Sequence, residues 1–212
     1  MEELDLLKKD WNRKKSFEEI SEHDIYKMSH KSSSSIVKWL LIISVIEFAF
    51  WMILTVVLND DQYQVKLHRY GIEDIIFWIN VVNYIILVAF IFVFYRNYKT
   101  ISVTDSTQRL MQTILKTRRT VQYYIWYNLG IVVVNIILTI LMLFKHNPQV
   151  LALIAEAEAK GDKMFFITKC IGISVLFIAV IIILFWLFYR LLYGILLKKL
   201  FANYKELKKI DL

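Results

Sequence analysis

Four uninterrupted apolar runs dominate the chain, at 36–58, 74–95, 122–144 and 165–190. Each is longer than the roughly 18 residues at which a membrane span becomes the first reading, and at about 1.5 Å per residue each reaches across a hydrocarbon core of about 30 Å. The runs are oily on every side, so a water-facing amphipathic helix cannot account for them. Composition agrees: 58% of the residues are apolar, against roughly 45–50% in an ordinary soluble domain. The runs predict an all-α fold, a four-transmembrane-helix bundle whose third and fourth spans continue as helices beyond the lipid.

Charge orients the bundle. Of the 26 Lys and Arg residues, twenty fall on one side: in the segments before the first run, between the second and third, and after the fourth, with Lys38 and Arg190 at the adjoining ends of the runs. Because basic residues concentrate in short cytoplasmic segments, both termini are expected in the cytoplasm of a bacterial inner membrane, in a multi-pass protein. The net charge of +7 then reflects this bias and attraction to anionic headgroups, so nucleic acid is not an expected partner.

The chain divides into a tail, 1–35, and the bundle, 36–212, which includes a cytoplasmic loop at 96–121 and a C-terminal helix at 191–212. In the tail Leu4, Leu7 and Trp11 share one helical face, and Ser16 with Glu19 and Ser21 with Asp24 have capping-box spacing. Phe17, Ile20, Ile25 and Met28 follow. So few apolar residues cannot form a core. They suit either a helix lying on the membrane or on the protein's own loops, or a docking segment for a partner. In the loop, Asp105 and Gln108 are spaced as an N-cap and its N3 partner, opening a helix that runs into the third span. Past Arg190, Leu196, Leu200, Tyr204 and Leu207 recur at helical steps. Asn147-Pro148 and Gly161 bracket a short helix over the outer face.

Glu47 lies at the arithmetic middle of the first run. A carboxyl group there is costly, at least roughly 2.5 kcal/mol when charged, and belongs in the bundle interior. Ser44 shares its face; Asn83 and Asn135 sit at similar depth in the next two runs, with Asn80 and Asn128 extending their faces. This set predicts an intramembrane polar cluster, serving either as interhelical glue or as a site for a proton, cation or small ligand.

Catalytic chemistry is not indicated. The four histidines split two and two across the membrane, one Cys forms no thiol site, and no metalloprotease, phosphate-loop, dinucleotide or nucleophile-elbow motif occurs. No catalytic, metal or cofactor site is expected.

The segments ELDLLKKDW, DIYKMSHKSSSSIVKW and NYKTISVTDSTQRLMQTILKTRRTVQYYIWYNL resemble a group of small uncharacterised four-span bacterial inner-membrane proteins. Some are labelled carotenoid oxygenases, whose four-histidine iron site has no counterpart here. The layout of a charged helical tail before a membrane anchor resembles that of membrane-anchored anti-sigma factors. It implies a regulatory protein whose tail, through Leu4, Leu7, Trp11, Phe17, Ile20 and Ile25, binds a cytosolic or membrane protein, with a homo-oligomer also compatible. The rival expectation is a small transporter, channel or accessory subunit working through Glu47, Asn83 and Asn135.

Overall fold

The structure, a computed structural model, describes residues 21–58, 65, 67–69, 71, 73–104 and 106–210. Its principal elements are α1 (Glu22–Leu58), α2 (Glu73–Ser102), α3 (Thr107–His146), α4 (Pro148–Ala159), α5 (Lys163–Tyr189), a π-helical turn at Arg190–Gly194 and α6 (Ile195–Ile210). No strand occurs among the described residues. The fold is an all-α bundle containing four helices long and apolar enough to cross a membrane.

Local chemistry explains the boundaries. Ser21 caps α1: its Oγ accepts from the Asp24 amide at 3.2 Å and donates to the Asp24 carboxylate at 2.9 Å, an N-cap in which Asp24 answers the Ser hydroxyl and not its backbone N–H. No Gly or Pro follows until the helix ends, so α1 continues unbroken through Ser32–Ser35. The division at residue 35 therefore falls inside a helix, and residues 22–35 are its first turns. Tyr26 Oη donates to the Thr104 carbonyl at 2.8 Å and His30 Nε2 to the Ile101 carbonyl at 2.7 Å. These bonds fix the start of α1 on the α2–α3 turn. Leu4, Leu7, Trp11, Phe17 and Ile20 lie outside the described residues.

The N-cap of α3 is Ser106, not Asp105, and its side chain makes no capping bond; Asp105 lies outside the described residues. At 40 residues, α3 is about 60 Å long. It ends where Asn147 turns the chain: Asn147 Oδ1 accepts from the amides of Gln149 and Val150 at 2.9 and 3.3 Å, and Pro148 occupies the first turn of α4. Gly161, at φ +80°, stops α4 with a backbone that side chains disfavour. Lys160 pairs with Glu156 and holds that exposed carboxyl below the usual carboxylate range.

The core does not lie among the oiliest segments. In the most apolar windows of the four long helices at most 17% of residues are buried, and in the last none. Buried side chains gather instead toward the end carrying the α2–α3 turn: Val37 and Leu40 of α1, Phe94 and Ile101 of α2, Leu110, Ile114 and Val121 of α3, and Leu200 and Leu207 of α6. We call this the basic end. There α1 packs on α2 and α6, and α3 on α2 and α6. Ser29 and Ser33 are buried, and Asn203 Nδ2 donates to the hydroxyls of Ser32 and Ser33 at 2.9 and 3.0 Å. Small residues at 29 and 33 let α6 approach. Arg118 lies 4.5 Å above the Phe201 ring, a cation–π contact joining α3 to α6.

Placing the core here has a measurable consequence. Phe94→Ala empties a fully buried site and is expected to cost about 3–5 kcal/mol. Phe92→Ala, on the exposed side of the same helix, should change stability by less than about 1 kcal/mol. Unfolding in mild detergent compares the two.

Candidate functional site

Leu40, Ser44 and Glu47 occupy one face of α1, at helical spacing, and all three are buried. That face meets α3 and the end of α5. Three phenols converge on the Glu47 carboxyl group: Tyr124 Oη donates to Oε2 at 2.8 Å, Tyr193 Oη to Oε2 at 3.0 Å and Tyr189 Oη to Oε1 at 2.5 Å. Tyr189 closes α5, and Tyr193 lies in the π turn. Residues four apart lie on one side of a helix, so both reach the same carboxyl group. The wide turn between α5 and α6 interrupts the α-helical ladder beside this cluster, as π turns commonly do at special sites.

Aromatic rings sheathe the cluster. The Tyr124 ring packs edge-on against Phe90, Phe94, Tyr189 and Tyr193 at centroid distances of 5.4, 5.6, 6.5 and 5.8 Å. Glu47 is 7% exposed and the three tyrosines at most 2%. Among the described residues no cation pairs with Glu47. The phenols are its partners.

The geometry relocates Glu47. Tyr124 is near the start of the third apolar run, Tyr189 near the end of the fourth and Tyr193 beyond it. The carboxyl group they share therefore lies at the basic rim of the apolar zone, not at its middle. Runs of equal length need not align end to end. Beyond Glu47, α1 continues for only about 16 Å, whereas α3 continues about 33 Å past Tyr124.

At the far end a cavity of about 1000 Å3 forms between α1, α2 and α3. The expected polar cluster is divided by it. Ser44 stays beside Glu47 but donates to the Leu41 carbonyl of its own helix at 2.8 Å. Asn128 Nδ2 donates to the Tyr124 carbonyl at 2.8 Å, which braces α3 behind the site. Asn83 accepts from Tyr127 Oη at 2.8 Å and does not reach Glu47. Asn80 and Asn135 line the far cavity with Thr55, Glu73 and Asp74, and Asn135 Nδ2 donates to the Ile131 carbonyl at 2.9 Å. A second, apolar groove of about 590 Å3 runs between α1 and α5, with Glu47 at its wall and Trp51 stacked on Phe185 at 6.1 Å.

Sequence reasoning missed the three phenols. Tyr124 resembles a residue of an interfacial aromatic belt, and Tyr189 and Tyr193 sit where such a belt is also expected. The available signal was their spacing of four along a face that continues into Leu200 and Leu207.

Among the described residues no group of three His, Cys, Asp or Glu side chains could hold a metal ion. His23 and His30 lie near the start of α1, while His68 meets Glu73 at 2.9 Å toward the far end. The arrangement gathers three hydroxyl donors on one carboxyl group, and it can clamp helices.

An all-helical bundle with four helices of membrane-crossing length and a lone carboxyl group in a phenol cage defines the class. The chain belongs to a family of proteins sharing a domain of unknown function, DUF8845, whose model matches residues 23–212. Neither a curated protein nor a solved structure matches the chain.

Removing one phenol leaves a carboxyl oxygen short of a buried donor. Tyr124→Phe, Tyr189→Phe and Tyr193→Phe are each expected to cost about 1–3 kcal/mol. Tyr123→Phe, on the exposed side of α3, should be silent in the same unfolding measurement.

Proposed function

We propose that the protein is a four-span integral membrane protein with its basic end in the bacterial cytoplasm, acting without catalysis as an interaction protein. Its packed basic end is a platform, and the tail before α1 captures a soluble partner in the manner of an anti-sigma factor. The observation behind this reading is the distribution of burial. The apolar segments bury almost nothing against one another and expose large side chains such as Phe50, Ile53, Trp78, Phe165 and Leu176. Lipid accounts for that surface, since soluble monomers seldom expose apolar patches beyond a few hundred Å2. The well-packed half, by contrast, lies where the Lys and Arg residues concentrate, which suits a cytoplasmic platform. The start of α1 is tied to that platform by Tyr26 and His30.

The test uses the full chain in mild detergent, comparing the wild type with a Leu7→Asp, Trp11→Ala double variant. The reading expects one soluble protein to be recovered with the wild type and depleted at least about tenfold with the variant, a difference of about 1.4 kcal/mol or more. Equal recovery would sink it.

The second reading, a small transporter, channel or accessory subunit, draws on the far cavity lined by Glu73, Asp74, Asn80 and Asn135 and on Glu47 beneath it. It expects Glu47→Gln to abolish solute or proton flux in reconstituted vesicles while the fold is kept; unchanged flux would leave Glu47 as a clamp alone.

A further inference from the structure

Where α2 turns into α3, Arg96, Lys99 and Arg109 line a cavity of about 410 Å3 together with Thr100, Val103 and Thr104. All three cations are exposed, and among the described residues none of them forms an ion pair. No described acidic side chain lines the cavity.

Side-chain donors beside it offset part of the local negative field. The carbonyls at the end of α2 would ordinarily present the negative pole of a helix. Here the carbonyl of Arg96 accepts from Thr100 Oγ1 at 2.9 Å, that of Lys99 from Ser102 Oγ at 2.9 Å, that of Thr100 from Thr104 Oγ1 at 2.6 Å and that of Ile101 from His30. At the other side stands the positive pole of the 40-residue α3, whose N-cap Ser106 supplies no side-chain acceptor. First-turn amides of this kind favour anions.

We propose that this cavity binds a phosphate group. Two guanidinium groups can each meet phosphate oxygens through paired hydrogen bonds, with the lysine adding a point charge. Its place points to the source: Tyr95, immediately before Arg96, ends the second apolar run and is half exposed. The cavity thus adjoins the apolar surface, where the headgroup of an anionic phospholipid would stand. That assignment rests on the membrane reading given above; a free phosphate would satisfy the same cations without it.

The experiment takes the full chain in mild detergent and measures, by native mass spectrometry, retention of added phosphatidylglycerol against phosphatidylcholine, with and without millimolar inorganic phosphate. The wild type should retain phosphatidylglycerol preferentially, and an Arg96→Gln, Lys99→Gln, Arg109→Gln variant should lose that retention at least about tenfold. A charge-matched Lys116→Gln, Lys198→Gln, Lys199→Gln variant should stay within about twofold. Resistance to inorganic phosphate assigns the site to lipid. Displacement, or binding of phosphate without lipid, keeps the phosphate site and assigns it to the soluble anion, a result that leaves the membrane reading to stand on its own. Equal loss in both triple variants, or no loss in the first, overturns the proposal, provided unchanged circular dichroism shows that both remain folded.

Discussion

The carboxyl group of Glu47 is the polar group on which α1, α3 and the end of α5 all converge. A buried carboxyl without partners costs several kcal/mol, so it must sit where donors converge. Tyr124, Tyr189 and Tyr193 provide them at 2.5–3.0 Å. Hydrogen bonds are directional, whereas the apolar surfaces around them are not. In a bundle whose apolar segments hardly pack on one another, this contact fixes how far α1 slides along α3 and α5. The bonds of Tyr26 and His30 to the α2–α3 turn and of Asn203 to Ser32 and Ser33 hold α1 at the same height.

That register makes the two ends of the molecule different. Toward the basic end the helices converge on a close-packed core, with serines on α1 admitting α6 and Arg118 bridging α3 to Phe201. Toward the far end lie the polar cavity of about 1000 Å3 and broad exposed apolar faces. An interaction protein needs the first end to be stiff; a transport function would use the second. The family match, 23–212, takes in the bundle and the phenol cage but not Leu4, Leu7, Trp11, Phe17 or Ile20.

Much of this architecture is legible in the residues. Hydropathy locates the four long helices because their runs are long and apolar on every side. The steps from Leu196 through Leu200, Tyr204 and Leu207 reveal the extension of α5 into α6, and Asn147-Pro148 with Gly161 brackets α4. Glu47 is also visible as an anomaly. Its depth is not, because counting from the ends of apolar runs assumes that neighbouring runs align. The Asn residues illustrate the same gap: Asn83 and Asn135 match Glu47 by count, yet Tyr127 engages Asn83, and the far cavity takes Asn135. The boundary drawn at residue 35 falls within α1, because serines in a helix without Gly or Pro can form a close-packing face.

A double-mutant cycle between Glu47→Ala and Tyr193→Phe tests the central contact most directly, because each substitution removes the bond and the cycle isolates the pair from the general cost of disturbing the core. If the cage sets the register, the two substitutions should couple by at least about 1 kcal/mol of unfolding free energy in detergent. Additivity to within about 0.3 kcal/mol would show that Glu47 and Tyr193 do not depend on each other, and would contradict the account.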